Sequence, residues 1–563
     1  MRDPSRANRL EDVVSAGRAA LESGRFEEAI NHFKSALKVG SRSVEQEAAI
    51  RCDLSAAFGK RGLSREQLDA VSRYNTLANF TNLTDAAKVR VLVRLGWAYS
   101  FNNDIPRAIA LFDQAMRMAR QQNDDAAIGG CYFGLGRAYR NLSELQIARD
   151  HYTAAQEHFR KVGHWRELAE SYINIGYINA FEGSYQNALQ SLNQALTILG
   201  DRSEYDLLGR AHMYIAITYD NLGYTSKALE SWEICIDNCR RAGNTLYLSI
   251  NENNLAMKLI WLGQFARAEE LARSALARLQ GTTGVWALGG AMDTLAQLLI
   301  IYGKIGEADD LLHESLQVLS SIKAAEWASV STRTTIARNS LMKGNAGRAI
   351  DELKQAIDIC LRSGSHYMLP DSRLWLAEAM LASGQLESAR EVVECVRQDL
   401  RNGPSLIAWG FMMRVMAKIE AADGHVAAAI QSLRQSSSIY ELRENSYAVA
   451  VNRVELAKMY QAQGKSVEAI VEVRAALEVF AGLGAVVDER KARQYLGSIE
   501  SGLSQFDRDA LARPPEGGHS AQVVAKPDLA SAVDGFIARR LVQASVSREL
   551  LLHELASVVQ DEA

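Results

Sequence analysis

Alanine returns down this chain at a fixed beat: Ala108, Ala148, Ala188, Ala228, Ala268 and Ala308 stand 40 residues apart, and Ala349, Ala389, Ala429 and Ala469 continue after one 41-residue step. Self-similarity at this period is the mark of stacked helix pairs, each unable to bury its apolar face alone. It overrides the usual division of 563 residues into several independent cores. A solenoid of that kind offers a long concave surface rather than a catalytic pocket, so the first expectation is a chain that binds proteins or peptides.

Composition agrees with an all-α chain. Hydrophobic residues make up 48% and only 7 prolines interrupt them, enough apolar material for a continuous core and few helix breakers. A net charge of -4 gives no basic field, which argues against nucleic acid as a partner. No stretch approaches the roughly 18 uncharged apolar residues of a membrane span, and the N-terminus has no signal-like apolar run, so a cytoplasmic protein without membrane association is expected. The six cysteines, Cys52, Cys131, Cys235, Cys239, Cys360 and Cys395, form neither a CxxC unit nor a disulfide framework and read as small core residues.

One unit is clearest at residues 124–163, where Leu135, Gly136 and Tyr139 mark the apolar face of a first helix and Leu145, Ala148, Tyr152 and Ala155 that of a second. Between the two helices falls a turn position held by Gly24, Gly62, Gly183, Gly223, Gly263, Gly303, Gly344, Gly384, Gly424 and Gly464, with Asn103 and Ser143 substituting. Positive φ is expected there, at a cost of about 1–2 kcal/mol to a residue with a Cβ. The beating alanine lies five residues past it, facing the first helix, where a larger side chain would force the pair apart.

These residues resemble the tetratricopeptide repeat, with its Leu-Gly-x-x-Tyr followed by Gly, an aromatic, Ala, an aromatic and Ala. Matching residues are Gly17, Ala20, Gly24, Phe26, Ala29, Phe33 and Ala36 in the first repeat, and Leu95, Gly96, Tyr99, Ile105, Ala108, Phe112 and Ala115 in the third. The second repeat, around Leu54, Phe58, Gly62 and Gln67, has lost its alanine. Later repeats replace the first helix's glycine with Ala256, Ala296, Ala337, Ala377, Ala417 and Ala457. The 40-residue unit is similar to the long repeats of kinesin light chains and bacterial peptide-sensing regulators. The resemblance implies a right-handed α-solenoid of about twelve helix pairs over residues 11–500, closed by a capping helix from Asp488 to Glu500. A linker at 501–528 containing Pro514, Pro515, Gly517 and Gly518, then a separate amphipathic helix at 529–560, are expected to follow.

No catalytic pattern survives inspection. Gly464, Lys465 and Ser466 imitate the end of a phosphate-binding loop, but Met459 stands where its first glycine belongs. His553 and Glu554 begin a zinc-protease pair whose second histidine is replaced by Ser557. A non-enzymatic chain without metal or cofactor is the expectation. In the resembled family the first helix of each pair lines the groove, at places two before and two after the leucine and further on by a turn. Carried over, this selects Trp97, then Phe133, Arg137 and Arg140, then Ile173 and Tyr177, then Met213, then Asn253 and Met257. Asn174 and Asn254, one place before the leucine-type residue, are similar to asparagines that grip a bound peptide's backbone, asparagine having both donor and acceptor. The resemblance thus implies a scaffold or sensor that takes a protein or peptide in its concave groove. Two other readings stay open: the sensory N-terminal part of a larger bacterial signalling protein with a transcription-activating, kinase or cyclase output, and a structural homo-oligomer assembled through 529–560.

Overall fold

The beating alanines are all fully buried, each at 0% exposure from Ala108 to Ala469. Around them the chain forms helix after helix, and among the described residues there is no strand. The structure is a computed structural model and describes residues 4–503 apart from 40–41, 282–283, 322, 366–367 and 403–404. The expected amphipathic helix at 529–560, and all but the first residues of the linker at 501–528, lie outside the described residues. Gly40 and Gly403, which the sequence offers as glycines ending helices, lie outside the described residues as well.

Among the described residues twelve helix pairs follow one another, from Pro4–Glu22 with Phe26–Ala36 to Ser446–Ala462 with Ser466–Leu483, and a further helix, Val486–Ser501, packs on the twelfth pair. Contacts gather into two compact units, Met1–Tyr214 and Ile215–Ala563. Within each unit the helices of a pair pack on each other, for example Asp125–Asn141 with Leu145–Val162, and the first helices of successive pairs also touch one another, for example Asp85–Phe101 with Asp125–Asn141 and Val285–Ile301 with Ser329–Met342. The layer whose members approach each other in this way is the inner, concave one.

The turn position behaves as its chemistry requires. Ser143 has φ 63° and Asn103 φ 64°, the same left-handed backbone that the glycines adopt at the corresponding places. The small residue on the first helix is explained by its neighbour: a Cβ on Gly96 would lie 2.8 Å from the Phe112 ring, and one on Gly136 3.0 Å from Tyr152. The later drift from glycine to alanine is accompanied by a smaller residue 16 places on. Leu312, Leu353, Val393, Leu433 and Val473 stand where Phe112 and Tyr152 stood, although Ala216 keeps Trp232.

Two departures from the beat have visible consequences. Gln67, in the alanine place of the second pair, is buried at 2% exposure, and Ser55, in the glycine place, donates to its carbonyl at 2.9 Å. The second helix of that pair is short, Ser64–Val71, and gives way to a 3₁₀ turn, Ser72–Asn75. The 41-residue step before Ala349 coincides with a 3₁₀ segment, Lys323–Ala328, ahead of the helix Ser329–Met342.

Candidate functional site

In the first unit the inner helices Asp85–Phe101, Asp125–Asn141 and Trp165–Phe181 carry a strip of rings and guanidinium groups. Trp97 lies edge-on to Phe112 at 5.6 Å and tilted against Phe133 and Phe101 at 6.0 and 6.2 Å. The Arg137 guanidinium rests over the Phe101 ring at 4.2 Å and near Trp97 at 5.7 Å. Arg140 lies 5.3 Å from the Tyr177 ring centre, and Tyr177 continues the strip to Phe181 at 6.1 Å and Tyr214 at 5.1 Å. Phe101 and Phe181 are 38% and 59% exposed, so this strip ends in aromatic surface that packing has not used.

Charge bookkeeping separates two of the arginines from the rest. Arg210 is paired with Glu170 at 2.6 Å and Arg166 with Glu204 at 2.9 Å, each bridging neighbouring pairs. Burial disfavours the charged Glu170, yet Arg210, Lys60 and Arg166 outweigh it and hold the carboxyl at about 2. Arg137 and Arg140 have no carboxylate within 4.0 Å among the described residues. The Arg137 Nε is buried without a hydrogen-bond partner, and burial lowers the pKa of the whole group. A cation lying on ring faces is stabilised by their quadrupole, about 0.5–2 kcal/mol, but keeps its need for an anion.

The residues expected to line the groove divide by position. Those two places after the leucine, Trp97, Arg137 and Tyr177, are half-buried and present, and Arg140, a turn further on, joins them. Two places before it the outcome varies: Ile173 is fully buried and Phe133 is 9% exposed within the cluster of Tyr152 and Phe159, while the same place is half-buried at Met213 and Asn253. The correction for Ile173 is that it offers no surface to a ligand, because its own neighbours enclose it fully. Asn174 is 3% exposed and internally committed, its Oδ1 accepting from Arg140 at 2.6 Å and its Nδ2 donating to the Glu170 carbonyl at 2.8 Å. It positions Arg140 rather than facing a groove. Met213 is half-buried. Phe101 and Phe181 went unrecognised in the sequence, although each follows a selected aromatic by four residues and so shares its helix face.

In the second unit Asn253 and Asn254 are half-buried and Met257 is 38% exposed. The Asn253 Oδ1 is buried without a partner, while its Nδ2 lies 3.9 Å from the Met257 Sδ. Further along, Arg338 lies over Trp375 at 4.9 Å and Arg414 over Phe411 at 4.9 Å, with the two rings 5.0 Å apart, edge to face. Asp293, 2% exposed, accepts from Ser331 at 2.5 Å, and burial raises its carboxyl pKa. No group of metal-ligating side chains occurs among the described residues. No helix among them is long and apolar enough to cross a membrane.

Tetratricopeptide-repeat family models match three stretches of the chain, residues 91–126, 131–201 and 370–394, which fall on the helix pairs just described. These stretches of the chain are tetratricopeptide repeats. Similar solved structures include a Rap protein complexed with competence and sporulation factor, 14% identical over 63% of this chain and 98% of that one, with a TM-score of 0.47. Others are the apo quorum sensor NprR from B. thuringiensis, 13% identical over 70% and 98% with a TM-score of 0.41, and the Cut9–Hcn1 hetero-tetramer, 12% identical over 86% and 97% with a TM-score of 0.33. The repeat protein's two arginine–aromatic strips lie on its first helices, the inner layer of each unit.

Proposed function

We propose that this repeat protein binds an extended protein or peptide segment along the inner helices of its first unit, and that the segment is acidic. The observation that carries this reading is the pair Arg137 and Arg140, two guanidinium groups on ring faces without carboxylate partners among the described residues, beside exposed Phe101 and Phe181. Arginine and aromatic side chains are the usual energetic anchors of interfaces, and a guanidinium accepts a carboxylate in two parallel hydrogen bonds. Burying a free charge costs several kcal/mol, so such a site gains most from a ligand that brings its own anion. The module acts by holding a partner, as a scaffold or sensor.

The test is an array of 12-residue peptides varying in net charge and aromatic content, probed with the full chain and with Arg137→Ala/Arg140→Ala. Wild-type protein is expected to enrich acidic peptides with an aromatic residue, and the double variant to lose at least tenfold in affinity at unchanged helicity. Retention of the same peptides by the variant would remove the arginines from the site; failure of the wild type to retain any would remove the peptide reading itself.

A further inference from the structure

The second unit is closed on itself by contacts that no repeat rule requires. Arg443, at the end of the helix Val426–Leu442, is 4% exposed and reaches back to Asp220. Its Nη2 donates to the Asp220 carboxylate at 2.7 Å and its Nη1 to the Asp220 carbonyl. The Lys258 ammonium, 9% exposed, pairs with the same carboxylate. Alongside, the Thr225 hydroxyl donates to the Arg443 carbonyl at 3.4 Å, and Ser226 faces Glu444 at 3.5 Å.

The repeat carries the seam along. Leu483, one 40-residue repeat after Arg443, sits against Gly263, one repeat after Gly223, which lies beside Arg443. Val487 touches the space above Gly303, and Phe265 meets the Tyr447 ring edge-on at 5.4 Å. The turns of three early pairs are therefore docked on the connections of the last two pairs and the final helix. Most of this seam is one small-residue edge with a few side chains laid on it. The charged cluster is its polar end, where two buried cations depend on one carboxylate, and losing either side would leave buried charge unpaired.

We infer that Asp220, Lys258 and Arg443 form a latch that holds the second unit as a closed turn, and that its release exposes the inner face carrying Arg338, Trp375 and Arg414. This inference stands apart from the ligand proposed for the first unit. It concerns access: with the turn closed, a segment can reach those inner residues only through the ends of the turn, and with it open, from the side.

The experiment uses the full chain with Cys395, the exposed thiol, replaced by serine. Arg443→Gln is compared with its parent by small-angle scattering, and Ser226→Cys/Glu444→Cys is introduced in both for reaction with a short bismaleimide. The parent is expected to crosslink within the chain; Arg443→Gln is expected to crosslink at least fivefold more slowly and to show a larger radius of gyration, which the completed crosslink restores. A third probe, Arg338→Cys, is expected to react with a bulky maleimide at least threefold faster when Arg443 is glutamine. Unchanged crosslinking and radius overturn the latch, and equal labelling at position 338 overturns the gating. Should Arg443→Gln lose helicity, Asp220→Asn is read in its place by the same measurements; loss of helicity in both means that the contact is needed for folding and overturns a releasable latch.

Discussion

At the scale of single residues, the repeat is a set of size constraints that side chains satisfy in pairs. Ser143 holds a left-handed backbone that its Cβ disfavours, at φ 63°. Ser143→Gly is therefore expected to raise stability by about 1 kcal/mol, the strain relief exceeding the entropy that glycine adds to the unfolded chain. Asn103→Gly should gain less, because asparagine already tolerates that conformation. Gly136→Ala points the other way: its methyl would sit 3.0 Å from the Tyr152 ring, in a hairpin already at contact distance. A loss of roughly 1–3 kcal/mol is expected from such overpacking. Urea unfolding followed by circular dichroism checks all three, and a stabilising Gly136→Ala would show that the ring has room to retreat.

Between elements, ion pairs one repeat apart tie neighbouring helices, and their pH response is a test of that role. Glu170 and Arg210 meet at 2.6 Å with side chains 18–19% exposed, and the carboxyl sits at about 2 instead of near 4.5. A carboxylate with a depressed folded-state pKa contributes stability in full above its unfolded value and loses it as pH falls toward the folded one. The gap in unfolding free energy between wild type and Glu170→Gln should accordingly be widest near neutral pH, on the order of 2–3 kcal/mol, and close between about pH 4.5 and 2. A gap that stays constant from neutral pH down to about pH 3 would mean that the loss comes from packing alone. The helix pairs themselves were legible in the sequence because alanine size and turn backbone repeat with the chain. The groove was legible only in part. Trp97, Arg137 and Tyr177 lie on first helices and remain half-buried, and which positions of such a helix stay accessible depends on the neighbouring helix. The fate of Asn174 turned on Arg140, a hydrogen bond across pairs that no spacing along one helix announces.

On the scale of the folded units, periodicity stops being informative at the seam. Asp220 and Arg443 are 223 residues apart, and nothing in a 40-residue beat says that these two positions meet. An open solenoid transmits a perturbation only to adjacent repeats, its stability being a sum of repeat and nearest-neighbour terms. A closed turn adds terms between its first and last pairs. Leu483→Ala distinguishes the two cases, since Leu483 reaches the turn at Gly263 while remaining only half-buried, so that its loss removes a seam contact without opening the core. Amide hydrogen exchange should show protection falling about five- to tenfold, or roughly 1–1.4 kcal/mol, both near residue 483 and at the turn around 260–268. In the first unit, Ala148→Leu disturbs a hairpin that packs on its sequence neighbours, and its effect should stay within the adjoining pairs. If Leu483→Ala leaves the turn at Gly263 fully protected, the early and late pairs of the second unit are not energetically coupled, and the closed turn would stabilise neither.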